Sequence, residues 1–210
     1  MDMKINKIKD VVLPNKKINY FILSIMLLGI ICGSIFFTII SKTDKAQTIE
    51  LIKNFFVNVN NSSIDSGLAL KNSLITNGIL VTLIFILGMS VIGLVLNVFI
   101  VYIKGFVVGF SISSIIGTYG LKGIIAAFIY IFPHQIINII AICIIGIYSI
   151  MFSIYLIKLI TNKKSVNSKN IFRKYFIIFA FSLISVTIAS FCEAYILPAF
   201  LKLIIGLYVN

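Results

Sequence analysis

Long apolar runs are the feature that most constrains what this chain can fold into. A helix needs about 20 consecutive apolar residues to cross the hydrocarbon core of a bilayer, which is about 30 Å thick. Charged residues make up 11% of the 210 residues and hydrophobic ones 60%, so a water-soluble fold would expose large apolar patches. The runs predict an all-α, polytopic membrane bundle with about five transmembrane helices, which are Ile18–Ser41, Ile75–Ile103, Gly105–Tyr119, Ile124–Ile160 and Tyr175–Leu197.

Lysine and arginine residues predict the orientation, because the cytoplasmic flanks of membrane helices are enriched in both. Five lie in residues 1–17 and six between Lys158 and Lys174, so we expect both flanks inside, with four crossings between them. Lys104 is then expected at the cytoplasmic surface. The predicted divisions are a cytoplasmic N-terminus (1–17), a retained anchor (18–41), an external loop (42–73), a membrane core broken at Pro133 (74–160), a basic cytoplasmic loop (161–174), and a final transmembrane helix with a C-terminal half-helix (175–210).

The net charge of +12 lies mainly in the flanks next to the membrane segments. No stretch combines basic and aromatic residues as a nucleic-acid-binding module does, so we expect no nucleic acid partner. Anionic membrane lipid and the topology explain the charge better.

The external loop is the only sizeable soluble piece that we predict. Within it, "TIELIKNFFVNVN" (48–60) places its apolar residues on one side of a helix, which predicts a short amphipathic helix at the membrane interface. These apolar residues are Ile49, Leu51, Ile52, Phe55, Phe56 and Val59.

Two prolines interrupt apolar segments. Ile124–Ile160 would be about 55 Å long as one helix, which exceeds what a bilayer needs, so we expect a break at Pro133. Pro198 likewise separates the last long run from a tail that is too short to span. The half-helix before Pro133 is expected to be covered by protein or to line a cavity. The tail after Pro198 is expected to be either a second re-entrant half-helix or a helix that lies in the membrane interface.

Polar side chains accompany both breaks. The only histidine, His134, precedes Gln135 and Asn138, and we expect this trio to form a polar clamp on backbone groups freed at Pro133. A site for a solute or proton, or a contact with a partner protein, remains open. Glu193, the only acid in a membrane segment, is expected to form a salt bridge or hydrogen bond near Pro198. Its expected partner is Lys122 or Lys202 rather than Lys104.

Paired glycines predict close helix contacts, because small residues let two backbones approach. The two G-x-x-x-G pairs are Gly29 with Gly33 and Gly105 with Gly109, and a further smooth surface is predicted at Gly88 and Gly93.

Catalytic patterns are lacking in the sequence. It has no H-E-x-x-H, G-x-S-x-G or Walker motif, and its one histidine has no acid within several turns. We therefore expect no enzyme, no metal and no cofactor. A membrane scaffold is the first interpretation, and a channel or transporter that uses the breaks at Pro133 and Pro198 is the alternative.

Several motifs together resemble the stage II sporulation protein M family. They are "FILGMSVIGL" (85–94), "FIVYIKGFVVGFSISSIIGTYGLKG" (99–123), "PHQIINIIAICIIGIYSIMFS" (133–153) and "CEAYILPAF" (192–200). The resemblance implies a multi-pass protein of the mother-cell and septal membrane that gathers peptidoglycan-degrading enzymes during engulfment. It implies stage II sporulation proteins D and P as partners. Whether copies of the chain form a homo-oligomer stays open.

Overall fold

The computed structural model describes residues 16–61, 65–131, 134–162 and 168–208. Helices account for nearly all of this part of the chain, and it contains no strand. The elements are α1 (Lys16–Ile39), α2 (Lys42–Asn60), α3 (Ser66–Gly88), α4 (Gly93–Tyr119), α5 (Leu121–Ile131), α6 (His134–Asn162), α7 (Ser168–Phe191), a π-helical segment (Cys192–Ile196) and α8 (Leu197–Tyr208).

Within the described residues, five helical stretches are long and apolar enough to cross a membrane. Four of them, in α1, α3, α4 and α6, precede the basic loop, and the fifth runs from α7 into α8. The predicted all-α, polytopic bundle is therefore confirmed. The assignment of inside and outside stays a prediction.

The turn between the second and third crossings lies earlier than predicted. It spans residues 89–92, where Met89 and Ser90 donate backbone hydrogen bonds to the end of α3. A Cβ atom at Gly93 would collide with the Leu87 carbonyl, so the close approach of α3 and α4 at this turn requires glycine there. Consequently α4 runs unbroken through Lys104, and the prediction that Lys104 lies at a membrane surface is wrong.

The external loop is shorter than predicted, because α3 begins at Ser66 and not after Ser73. Asp65 caps the helix by accepting hydrogen bonds from the backbone N–H groups of Gly67 (2.8 Å) and Leu68 (3.2 Å). Ser73 thus belongs to the membrane bundle.

The amphipathic helix α2 packs onto the bundle. Its residues Phe56 and Val59 are buried in a cluster with Ala126 of α5 and Leu201 of α8, while Leu51 stays 70% exposed. Helix α2 therefore packs against α4 and α8.

Glycines form the contact between α1 and α4. At Gly29, Gly33, Gly105 and Gly109, an added Cβ atom would collide with backbone atoms of the opposite helix. The close approach also lets the Ser34 hydroxyl donate to the Gly109 carbonyl across the seam, at 3.1 Å. The two predicted pairs thus lie against each other within one chain.

A tight hairpin joins α4 to α5. Gly120 is the only residue between them and has φ +60°, a left-handed conformation that favours glycine. The Gly123 Cα lies against the Ile115 carbonyl, where a side chain would collide. The short helix α5 is therefore folded back onto α4.

Aromatic rings hold α3, α6 and α7 together in the other half of the bundle. Phe85 stacks between Phe179 (4.1 Å) and Tyr175 (4.8 Å), and Phe152 stacks on Tyr175 (4.7 Å). The Tyr175 hydroxyl donates to the Phe85 carbonyl at 2.8 Å. An added Cβ atom at Gly88 would collide with this hydroxyl, so the glycine makes room for the bond.

Pro198 lies in the first turn of α8 and does not separate two helices. The π-helical segment precedes it, and the Leu197 N–H donates to the Cys192 carbonyl five residues earlier. A proline has no N–H to offer the Ala194 carbonyl, and a wider turn accommodates that loss. The other predicted break, at Pro133, lies outside the described residues.

Candidate functional site

Polar side chains from five helical elements lie inside the bundle. We define this polar centre as Ser73 and Asn77 of α3, Lys104 of α4, His134 and Asn138 of α6, Ser190 of α7, and Glu193 of the π-helical segment. All except the half-buried Glu193 are buried.

The centre lies deep in the membrane portion of the fold. Asn77 and Lys104 each lie about eleven residues from the α3–α4 turn, which corresponds to about 16 Å at 1.5 Å per residue. In a hydrocarbon core of about 30 Å, that depth is close to the middle.

A chain of hydrogen bonds connects the ammonium group of the centre to its carboxylate. Lys104 Nζ donates to Asn77 Oδ1 at 2.9 Å, and Asn77 Nδ2 donates to Ser73 Oγ at 3.3 Å. Ser73 Oγ then donates to Glu193 Oε2 at 2.5 Å, and it also lies 2.9 Å from Ser190 Oγ. Every donor points from Lys104 towards Glu193, so we call this chain the relay.

The relay compensates the cost of placing two charges in an apolar medium. An unpaired ion there is expensive, whereas opposite charges joined through polar groups offset each other's desolvation. Because Ser73 and Asn77 lie on α3, the relay also ties α4 to the end of α7. The contact therefore fixes three helices at once.

The π-helical segment places Glu193 at the relay. A π turn adds a residue to the helical path and shifts which side chains face the interior, and such turns are frequent at functional sites. Ala194, the next residue, is fully buried against the bundle. The proline at position 198 and the acid at 193 thus belong to one local arrangement.

The trio on α6 has unused hydrogen-bonding capacity. His134 and Asn138 are fully buried, yet neither ring nitrogen of His134 and neither amide atom of Asn138 has a partner among the described residues. The Gln135 carbonyl oxygen lacks one as well. Tyr130 packs edge-on against the His134 ring at 5.5 Å. The bonds expected of a polar clamp are thus not seen here, and Pro133 lies outside the described residues.

His134 lies within electrostatic range of both ends of the relay, Glu193 and Lys104. The centre therefore offers donors, acceptors and both signs of charge in one buried volume. Among the described residues, no three His, Cys, Asp or Glu side chains come together as a metal site would require. The arrangement suits helix association and the holding of a polar group.

Sequence reasoning found part of this centre. It singled out His134, Asn138 and Glu193, which the fold brings together, and it missed Ser73, Asn77, Lys104 and Ser190. Lys104 was missed because the turn at residues 89–92 was not predicted. A helix that starts at Gly93 places Lys104 in its apolar middle. The predicted pairing of Glu193 with Lys122 or Lys202 stays a prediction.

No curated protein and no solved structure matches the chain. The sequence model of the family described as stage II sporulation protein M matches residues 22–198, which is most of the chain. The match extends from α1 into α8 and includes every residue of the polar centre. Because it covers far more than half of the 210 residues, the chain belongs to the stage II sporulation protein M family.

Proposed function

We propose that this protein is a non-enzymatic membrane scaffold of the engulfment machinery in sporulating cells. In this role it recruits and positions peptidoglycan-degrading enzymes at the mother-cell and septal membrane. Membership of the family supports a sporulation role, and five helices long enough to span a bilayer support a membrane location.

The observation that carries the proposal is the docking of α2 on the bundle. Phe56 and Val59 anchor the helix, so its opposite face is held in a fixed position outside the apolar core. That face is exposed and mainly polar, with Val57 (54%) as an exposed apolar side chain. An apolar side chain with a polar surround is typical of a protein-binding surface.

The predicted topology places α2 on the side of the membrane where the cell wall lies. A partner that acts on peptidoglycan must work on that side. Stage II sporulation proteins D and P, the partners implied by the family resemblance, are the proposed occupants of the exposed face.

The composition of the polar centre supports a role without catalysis. Its one acid and its lysine are engaged in the relay, and its serines bond to other members of the centre. A Ser–His pair or an acid pair at reacting distance, which hydrolytic chemistry would use, is not formed by the residues described there.

Co-purification tests the proposal. The protein is extracted in mild detergent from sporulating cells, and recovery of the D and P proteins is measured by immunoblot. We expect both to be recovered, and we expect Val57→Glu to reduce their recovery without lowering the amount of scaffold. Ala46→Glu places the same charge on another exposed part of α2 and is the control.

The buried His134 and Asn138, which have no hydrogen-bond partner among the described residues, favour one alternative, a channel or transporter. Flux through the purified protein in liposomes separates the two functions. Recovery of partners without flux supports the scaffold. Solute flux that His134→Ala abolishes supports the alternative.

A further inference from the structure

A cavity lies between the external helix and the membrane bundle, apart from the polar centre. It has a volume of about 280 Å³, is lined by α2, α4 and Tyr130 of α5, and is open to the surroundings. Its walls are largely apolar, with Phe55, Phe56 and Phe110 as the largest lining side chains.

Few polar atoms of the wall require a ligand. The Ser111 and Ser114 hydroxyls donate to carbonyls of their own helix, each at 2.9 Å. The Thr48 hydroxyl donates to the Asp44 carbonyl at 2.8 Å. With these donors occupied, the cavity suits an apolar chain better than a polar solute.

A lysine, Lys45, lies on α2 one helical turn before Thr48 of the cavity wall. The Lys45 ammonium lies 5.1 Å from the centroid of the Phe37 ring, a cation–π contact that holds it in place. Phe37 in turn packs edge-on against Phe110 at 5.8 Å and lies against Gly117, near the end of α4. The positive charge is therefore fixed at the level where α4 leaves the membrane portion of the fold.

The cavity extends inward from this level. Phe110 and Ser111 precede Gly117 by about seven and six residues, which places them about 10 Å deeper along α4. A cation at the membrane surface above an apolar cavity of that depth matches one kind of molecule. Its head carries negative charge, and its tail is a hydrocarbon chain.

We propose that this cavity binds one anionic phospholipid, with its phosphate at Lys45 and an acyl chain between α2 and α4. The site stabilises the docked position of α2, since the chain fills space beneath that helix. A second cavity, of about 630 Å³, lies along α3 and is lined by that helix alone, with no basic residue in its wall. Lipid at that surface has no charge to select it.

Native mass spectrometry of the full-length protein in detergent tests the site, with phosphatidylglycerol or phosphatidylcholine added at equal concentration. We expect a one-lipid adduct that forms at least several-fold more with phosphatidylglycerol. Lys45→Gln should remove this preference, and Ser111→Phe should remove the adduct by filling the inner end of the cavity.

Two matched controls accompany these variants. Lys53→Gln removes the same charge from an exposed position of α2, and Ser185→Phe enlarges a serine of α7 that also bonds to its own helix (2.9 Å). Both should bind lipid as the parent does. Equal binding of the two lipids, or an unchanged preference in Lys45→Gln, would overturn the proposal. A change of oligomeric state in Ser111→Phe without loss of the adduct would also overturn it, and would assign the surface to a second copy or a partner helix.

Discussion

Lys104 and Glu193 lie on separate helices and are connected by hydrogen bonds through Asn77 and Ser73. The pair explains why a lysine is present in the middle of α4, where an isolated ammonium group would be costly. It also explains why the chain leaves regular α-helical geometry at Cys192–Ile196. The relay is the element that fixes α3, α4 and the end of α7 relative to one another.

Breaking one end of the relay leaves the charge at the other end unpaired, so the effects of the two single variants on stability should not add. Lys104→Met leaves Glu193 without its opposite charge, and Glu193→Gln does the reverse, so each should cost about 3–5 kcal/mol. The double variant should cost less than the sum of the two. Thermal unfolding in detergent measures this, with Lys53→Met on exposed α2 as the control. Additive effects would show that the two charges do not interact.

The two glycine environments predict opposite effects of the same substitution. Gly33→Ala places a Cβ atom on the Phe106 carbonyl of α4, and such overpacking costs about 1–3 kcal/mol. Gly78 has nothing within 4 Å of the corresponding position, so Gly78→Ala should be neutral or stabilise α3 by about 0.5–1 kcal/mol. Melting temperatures of both variants test the α1–α4 seam. An equal effect of the two changes would contradict it.

Two buried asparagines allow a matched test of the clamp. Asn77 is bonded on both sides, so Asn77→Leu should lower stability by about 1–3 kcal/mol. Asn138 has no partner among the described residues, so Asn138→Leu should leave stability unchanged or raise it. Chemical denaturation in detergent compares the two. A loss in Asn138→Leu as large as that in Asn77→Leu would favour the polar clamp near Pro133.

The predicted orientation is testable by cysteine labelling after Cys32, Cys143 and Cys192 are replaced. Asn54→Cys on exposed α2 should react with an impermeant reagent applied to intact cells. Ser90→Cys, in the turn between α3 and α4, should react only after the membrane is permeabilised. The reverse pattern would place the basic flanks outside.

Apolar run length and lysine distribution made the fold class and the count of spanning helices predictable from sequence. The turn at residues 89–92 was not predictable in this way, since "LGMSVIGL" is too apolar to look like a loop. That one difference moved Lys104 from a surface to the interior, where the relay connects it to Glu193. The packing of α2 against α4 and α8 was also not predictable, because an amphipathic face fits lipid and protein equally well. The relay depends on contacts between residues up to 120 positions apart, which no local pattern encodes.

Site-specific photo-crosslinking in sporulating cells tests the scaffold proposal most directly. A photoreactive amino acid at Val57 lies on the exposed face of α2, and one at Phe99, which is 57% exposed on α4, is the control on the apolar surface of the bundle. Our account predicts that Val57 crosslinks to the D or P protein during engulfment and that Phe99 does not. Absence of a crosslink from Val57, with engulfment proceeding normally in Val57→Glu, would contradict it.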